Sequence, residues 1–396
     1  MKKFAISLTL SFALAFSALG VACSNQQQGG DSNSRSIPAE FTTEITGIDN
    51  YSDYYLAESF DDFYAKGYEM TDYVDVNLPN MELKAVKIVG AFQEAGIYSF
   101  CISNNSGSYS NLALAIVGMN LSDYYPYENG TKVTIKFNNM SLSKAEGIDT
   151  TLRYSKNRDD FSSDEVFANF RSVDTTNIKK NTIYRGTNIF ENKETSSRVP
   201  YADKLCEQAG IKTDIDLSQS KSDIEKALQD NPDVSKYGKK LFDEGKVYAD
   251  KINNNYYYDK TVATIRDTML QVANSEAPFY IHCNEGKDRT GFICLVLEAL
   301  CAGNQEEIAS DYMESYTNFY NVQPGTEKYE LVKKLTFDRI VYVLDDPERV
   351  KSIDKIDWEN INVANVDLNQ AAYNYCKNVL KLSDAEIQQI VLKLTR

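Results

Sequence analysis

The chain has 396 residues, with 42 basic and 57 acidic side chains, a formal charge of −15, one histidine and seven cysteines. A single histidine excludes a metal centre built on several His ligands and leaves at most one Ser-His-Asp triad. The acid excess argues against a nucleic-acid-binding face, while 42% hydrophobic and 25% charged residues make an ordinary globular composition. At roughly 100–200 residues per domain, the length suits two or three domains.

The first element is an export signal. Met1-Lys2-Lys3 is basic, Phe4 to Ala22 carries no charge, and the run ends at Gly20-Val21-Ala22-Cys23. This spacing predicts a cleaved segment over 1–22. A Cys after small residues resembles a bacterial lipoprotein site with Cys23 as the lipid anchor, although Gly20 stands where leucine is usual and Leu19 lies one place further back. The expected product is exported, either a cell-surface lipoprotein or secreted, and touches a membrane only through Cys23. Losing Lys2 and Lys3 and no acid moves the charge from −15 to −17. No other stretch is long and apolar enough to span a bilayer.

Residues 23–40, rich in Gln, Gly, Ser and Asn, bury too little to order themselves and read as a flexible tether. A β-rich accessory domain follows over 41–150. Tyr73–Leu78 and Val133–Phe137 alternate apolar and polar, Leu83–Val89 is a third strand candidate, and Asn129-Gly130 marks a turn. Phe60–Tyr68 has helical spacing. The 27 tyrosines read as half-buried packing, not as a carbohydrate face.

From 165 to 396 strands and helices alternate, which predicts an α/β sheet. Ile183–Arg185, Ile211–Leu217 and Phe279–His282 read as strands. Ala202–Ala209 reads as a helix stopped by Gly210, Ser222-x-x-Glu225 as a capping box, Gly291–Leu300 as an apolar core helix, and Ser383-x-x-Glu386 as the cap of a last helix to Leu394. Cys101, Cys206, Cys283, Cys294, Cys301 and Cys376 are irregularly spaced and predict no disulfide framework; Cys294 and Cys301 read as core residues.

The chemistry concentrates in Phe279-Tyr280-Ile281-His282-Cys283-Asn284-Glu285-Gly286-Lys287-Asp288-Arg289-Thr290-Gly291. A buried strand ends at Cys283, and an apolar helix opens just after Arg289. The amides between can turn inward as an anion-binding nest, with Gly286 supplying the unusual dihedral. The helix N-terminus adds partial positive charge, and the planar fork of Arg289 suits two phosphate oxygens. A site that holds an anion also favours a thiolate, so Cys283 is expected to be a nucleophile. The residues do not fit a nucleotide-binding Gly-x-x-x-x-Gly-Lys-Ser/Thr loop, because the second glycine is missing at that spacing and Asp follows the lysine.

His-Cys, five residues, Arg and Thr resembles the signature of the cysteine-dependent phosphatase superfamily. Gly-Lys-Asp-Arg-Thr-Gly at 286–291 is most similar to a bacterial branch acting on phosphotyrosine and, in some members, on phosphoinositides. The resemblance covers roughly residues 165–320, including Ile183-Tyr184-Arg185 and Ala209–Leu217. It implies an α/β fold with a phosphatase-type central sheet flanked by helices, beside the β-rich accessory domain, and a phosphatase domain over 165–396. It also implies a cysteinyl-phosphate mechanism without metal or other cofactor. Cys283 would be the nucleophile, with phosphate bound by Asn284, Glu285, Gly286, Lys287, Asp288 and Arg289. Thr290 would face the sulfur and His282 would support it.

The proton donor is open at this stage. The Trp-Pro-Asp tripeptide of many relatives is missing, since the sole Trp is Trp358. The branch implies Asp288; Asp250, Asp259 and Asp216 are alternatives. Lys287 reads either as a substrate ligand or as a solvated surface lysine, with Glu285 opposing a very anionic substrate. The expected substrate is phosphotyrosine on protein or peptide, the second a phosphoinositide or inositol phosphate. A catalytically idle phosphate-binding or adhesion module is the non-enzyme alternative. A sulfurtransferase also uses a Cys loop, but Arg-Thr-Gly opening a helix favours phosphate.

Overall fold

Seven strands of the N-terminal region close on themselves. They are β1 (Glu40–Ile48), β2 (Tyr54–Ser59), β3 (Tyr73–Leu78), β4 (Met81–Val89), β5 (Phe100–Asn104), β6 (Asn111–Ile116) and β7 (Lys132–Phe137). The barrel runs β1-β2-β6-β5-β4-β3-β7, with β4 and β5 parallel and the other pairs antiparallel. The computed structural model describes residues 37–49, 52–70, 72–90, 92–104, 111–138, 152, 154–190 and 195–395. The expected signal, Cys23 and most of the tether lie outside the described residues.

Alternation produces the barrel's interior, because successive side chains point to opposite faces. Val74, Val76 and Leu78 of β3 are buried while Tyr73, Asp75 and Asn77 are half-buried, and Val133 and Ile135 of β7 follow the same rule. Closure depends on β1 pairing on both edges, with β2 through Ile45↔Leu56 and with β7 through Phe41↔Ile135. The short helix Phe60–Ala65 opens on a reciprocal capping box between Ser59 and Asp62.

The second sheet contains β8 (Arg171–Ser172), β9 (Ile183–Gly186), β10 (Thr213–Asp216), β11 (Val247–Ala249) and β12 (Phe279–His282), in the order β11-β10-β12-β9-β8. The four from β9 to β12 are parallel and β8 is antiparallel to β9. β12 is central, flanked by β10 and β9 through Asp216↔His282 and His282↔Gly186. The carboxyl ends of three parallel strands therefore converge beside Cys283, where open α/β sheets place their ligands.

Helices cover this sheet. Val199–Ala209 ends at Gly210 in a left-handed cap, and Asp384–Thr395 follows the reciprocal pair Ser383 and Glu386. The capping box expected at Ser222/Glu225 lies two residues earlier. Ser220 caps Lys221–Asp230 with Asp223 as its partner, because a box needs the third helical residue to reach back to the cap. Asp288–Leu300 is buried on almost every side. Cys101, Cys206, Cys283, Cys294, Cys301 and Cys376 are all free and buried.

Ile37–Arg396 forms one compact unit, and a single apolar cluster runs from Ile45 and Val76 of the barrel through Ile281 and Phe292 to Leu394. A clamp reinforces it. Arg339 Nη1 donates to Ile97 O at 3.0 Å and to Ser99 Oγ, and its guanidinium lies 4.9 Å from the Trp358 ring. Trp358 in turn stacks on buried Tyr98 at 6.1 Å. Gly96 allows the close approach, since a Cβ there would sit 2.9 Å from Leu335 O. The apolar, clamped contact joins the barrel to the rest of this one unit.

Candidate active site

The Cys283–Lys287 loop is shaped from outside by its carbonyls. Asn284 O accepts from the Asn188 amide at 3.2 Å and from Thr195 Oγ1 at 3.2 Å. Glu285 O accepts from Asn169 Nδ2 at 2.9 Å, and Gly286 O from Arg185 Nη2 at 3.0 Å. In a trans peptide the C=O and the next N–H point oppositely. Outward carbonyls therefore turn the amides of Glu285, Gly286 and Lys287 to the inner side, which builds the nest. Gly286 has φ +68°, and a Cβ on it would fall 2.1 Å from Gly186 O. Only glycine fits here, because β9 ends in Gly186 against the loop.

The donors that shape the loop belong to a buried network. Arg185 pairs with Asp311, and Arg171 reaches Asp311 Oδ1 at 2.9 Å and Asn169 Oδ1 at 2.7 Å. Sequence reasoning placed Arg185 on a strand but missed this role, which arises from packing between β8, β9 and the helix Gln305–Tyr320.

Cys283 is 3% exposed. Burial pushes its thiol up, but the Arg289 guanidinium and hydrogen bonds from the Thr290 hydroxyl and amide outweigh it and hold Cys283 below the ordinary thiol range. The Thr290 hydroxyl has no other partner among the described residues. Arg289 Nη1 is anchored to Leu217 O at 3.3 Å and Ile252 O at 3.4 Å. Carbonyls from the loops after β10 and β11 thus aim the guanidinium. His282 is fully buried, with Nε2 3.1 Å from Asp214 Oδ1 and Nδ1 3.9 Å from Asp216 Oδ1. Burial alone would lower its pKa, but the two carboxylates carry it up to about 9. The imidazolium therefore adds positive charge behind the loop at neutral pH.

Lys287 is in neither expected place. It is 0% exposed, its Nζ bonds both Asp288 oxygens at 2.7 and 2.8 Å and lies 3.7 Å from Glu285 Oε2, and the Tyr316 and Tyr320 rings sit 5.0 and 5.9 Å away. Its side chain is neither solvated nor free to meet substrate, because two carboxyls and two aromatic faces cage the ammonium. Asp288 opens the helix at the rim, oriented by that ammonium, with the Tyr316 hydroxyl 3.5 Å from Oδ1.

The alternative carboxyls are occupied elsewhere. Asp216 Oδ1 accepts from Ser218 N, Ser218 Oγ and Gln219 N at 2.7, 2.6 and 3.1 Å, closing the turn after β10. Asp250 is held by Thr268 Oγ1 at 2.8 Å and Gln271 Nε2 at 3.3 Å, and Asp259 opens the helix Asp259–Asn274 on the surface. None of these three lines the cavity described next.

Cys283, Asn284, Glu285, Asp288 and Arg289 form the floor of a cavity of about 680 Å³. Ser218 and Lys251–Asn255 form one side. The barrel forms the other, through Asp53, Phe92 and Ile116–Asn120. Asp53 is 5% exposed, and burial, with Asp49 nearby, pushes its carboxyl up to about 8. The barrel's part in the site had no signal in the sequence.

A largely parallel α/β sheet, a cysteine held below the ordinary thiol range at the end of its central strand and an arginine six residues on are the arrangement of a cysteine-dependent phosphatase. The family model for the tyrosine phosphatase family matches residues 165–396, and the chain belongs to that family. Among curated proteins there is no match. Among solved structures, an uncharacterized conserved protein from Thermotoga maritima aligns at 18% identity and a TM-score of 0.23, over 25% of this chain and 36% of that one. The chain thus spans about a third of the Thermotoga protein. The core catalytic domain of the PP-IP phosphatase SIW14 from S. cerevisiae, solved with citrate, aligns at 18% identity and a TM-score of 0.24, over 47% of this chain and 96% of that one.

Proposed function

We propose that the chain is an exported phosphatase that hydrolyses phosphate monoesters, phosphotyrosine on protein or peptide first, through a cysteinyl-phosphate. The observation that carries the reading is a Cys283 sulfur held below the ordinary thiol range, with Arg289 fixed in the same loop. In the first step the thiolate attacks phosphorus in line. The S–P bond forms, the bond to the leaving oxygen breaks, and Asp288 protonates that oxygen. In the second, water attacks phosphorus while Asp288 takes its proton, and the S–P bond breaks to release phosphate and thiolate. Arg289 and the inner amides hold the three non-bridging oxygens as charge develops. Thr290 faces the sulfur and eases its departure.

The lining charge favours a singly phosphorylated substrate. Lys251 and Arg289 are the cations among the described lining residues, against the carboxyls of Asp53, Glu285 and Asp288. An inositol polyphosphate needs more positive charge than that, while an aromatic ring fits against Phe92, Ile116 and Met119. Residues 1–22 support export and Cys23 supports a lipid anchor.

Steady-state hydrolysis by the full chain, with EDTA and reductant present, tests the proposal. The panel is a phosphotyrosine peptide, a phosphoserine peptide, a phosphoinositide and inositol hexakisphosphate. Preference for the phosphotyrosine peptide is expected. Cys283→Ser should lose turnover by ~10³-fold or more while still binding phosphate. Undiminished turnover in that variant overturns the mechanism, and silence of the native chain on every substrate favours a phosphate-binding module.

A further inference from the structure

The mechanism leaves the side chain of one buried cation at the site without a task. Lys287 Nζ stands 2.7 and 2.8 Å from the two oxygens of Asp288 and 3.7 Å from Glu285 Oε2, and solvent does not reach it. The helix Gln305–Tyr320 closes the cage. Its Tyr316 and Tyr320 rings lie 5.0 and 5.9 Å from the ammonium, and their hydroxyls fasten the two acids. Tyr316 donates to Asp288 Oδ1 at 3.5 Å and Tyr320 to Glu285 Oε2 at 3.2 Å. Burial alone would discharge the lysine, but Asp288, the two tyrosines and Glu285 carry it well above the ordinary lysine range.

A buried ammonium is costly unless it is paired, and the pairing here has a direction. Asp288, the nearer partner, keeps 30% of its side chain exposed and lines the cavity, where its charge acts on both Cys283 and Arg289. A donor on each oxygen fixes the plane of the carboxyl. As Asp288 gives its proton to the leaving oxygen, negative charge develops on that carboxyl, against an ammonium already in contact. No group has to move to meet the charge, which is how preorganised electrostatics lower a barrier. In the second step the same contact holds the carboxylate ready for the proton of water.

We propose that Lys287 is a positioning residue for the proton donor, aiming the Asp288 carboxyl and stabilising the carboxylate formed as its proton leaves, without touching substrate. The proposal rests on the reading of Asp288 as proton donor and deepens it. Tyr316 and Tyr320 keep the ammonium in place.

The test uses two esters that share a phosphoryl group and differ in the need for a proton. Phenyl phosphate has a poor leaving group, and p-nitrophenyl phosphate a good one. The ratio of kcat/KM for the nitrophenyl ester to that for the phenyl ester is measured in the full chain, in Lys287→Met, in Asp288→Asn and in the double variant, with inhibition by inorganic phosphate alongside. Asp288→Asn should raise the ratio about 10²-fold and Lys287→Met about tenfold. The double variant should match Asp288→Asn alone, because Lys287 acts through Asp288. Phosphate should inhibit Lys287→Met as it inhibits the native chain. Lys287→Gln, which keeps a donor and drops the charge, replaces Lys287→Met should the latter fail to fold, with the same rise expected. An equal loss on both esters, weakened inhibition by phosphate, or a double variant whose losses add overturns the proposal. An Asp288→Asn variant whose ratio stays at the native value instead fails the proton-donor reading beneath it, while turnover of the native chain and its loss in Cys283→Ser still decide the phosphatase mechanism.

Discussion

The floor of the cavity comes from one run, Cys283–Thr290, whereas the facing wall is assembled from Asp53, Phe92 and Ile116–Asn120, far upstream on a barrel. The floor carries its chemistry in covalent adjacency. Sulfur, amides and guanidinium share one turn, and the sheet beneath holds that turn by its carbonyls. The wall has no such internal guarantee. Its place depends on Arg339, Trp358 and Tyr98 keeping the barrel against the sheet. On the proposed function, the floor would fix which bond is broken and the wall would bear on which molecule presents it.

The largest expected effect lies on the floor. Arg289→Lys keeps the charge but loses the planar fork and its anchorage to Leu217 O and Ile252 O. Turnover should fall by about 10²–10³-fold. The loss should be equal for a phosphotyrosine peptide and phenyl phosphate, because both present the same phosphoryl group. An unequal loss would mean that the floor reads the leaving group as well.

A smaller effect, of a different kind, is expected at the clamp. Arg339→Met removes the bonds to Ile97 O and Ser99 Oγ and the contact with Trp358, while keeping an unbranched apolar stem. The cost should be about 2–4 kcal/mol in denaturant unfolding. Turnover on phenyl phosphate should suffer less than turnover on the peptide. Lost stability with an unchanged substrate ratio would show that the wall keeps its place without this clamp.

The same contrast explains what the sequence disclosed. Strand, loop and helix around Cys283 were legible because each signal is local: an apolar run, a glycine at the tight turn, an arginine at fixed spacing. β3 and β7 were legible by alternation, and β4 as a strand candidate over Leu83–Val89. Barrel closure was not, because it needs β1 to pair on two edges, and a period-2 pattern says nothing of its partners. Lys287 was misplaced because nothing in Gly-Lys-Asp-Arg shows that Tyr316 and Tyr320 will cover it. Asp53 carried no signal, since an acid beside a strand reads as a loop residue. Asp250 and Asp259 suited the role of proton donor by distance along the chain and Asp216 by ending a strand, yet Asp216 closes a turn, Asp250 is bonded by Thr268 and Gln271, and Asp259 opens a surface helix.

The smallest effect tests whether the wall is as dry as its packing implies. Asp53 titrates near 8 in the folded chain against an ordinary 3.8, through burial and the neighbouring Asp49, with the Ile116 amide opposing. Cys101, whose thiol Asp53 helps to raise, packs on the outer face of the barrel with Val89, Ala95 and Ala115, and Lys251, Arg289, Glu285 and Asp288 share the cavity. Below pH 3.8 the folded and unfolded chains both carry the Asp53 proton, and the group adds nothing to the pH dependence. Between 3.8 and about 8 the folded chain keeps a proton that the unfolded chain has released, so this contribution to stability declines as pH rises, by at most about 1.4 kcal/mol per pH unit. Asp53→Asn has no proton to lose. The stability of Asp53→Asn relative to the native chain should therefore rise by about 1–2 kcal/mol between pH 5 and pH 8 in paired denaturant titrations, allowing for partial hydration of the cavity. A gap that stays flat across that range would mean that water reaches Asp53 freely.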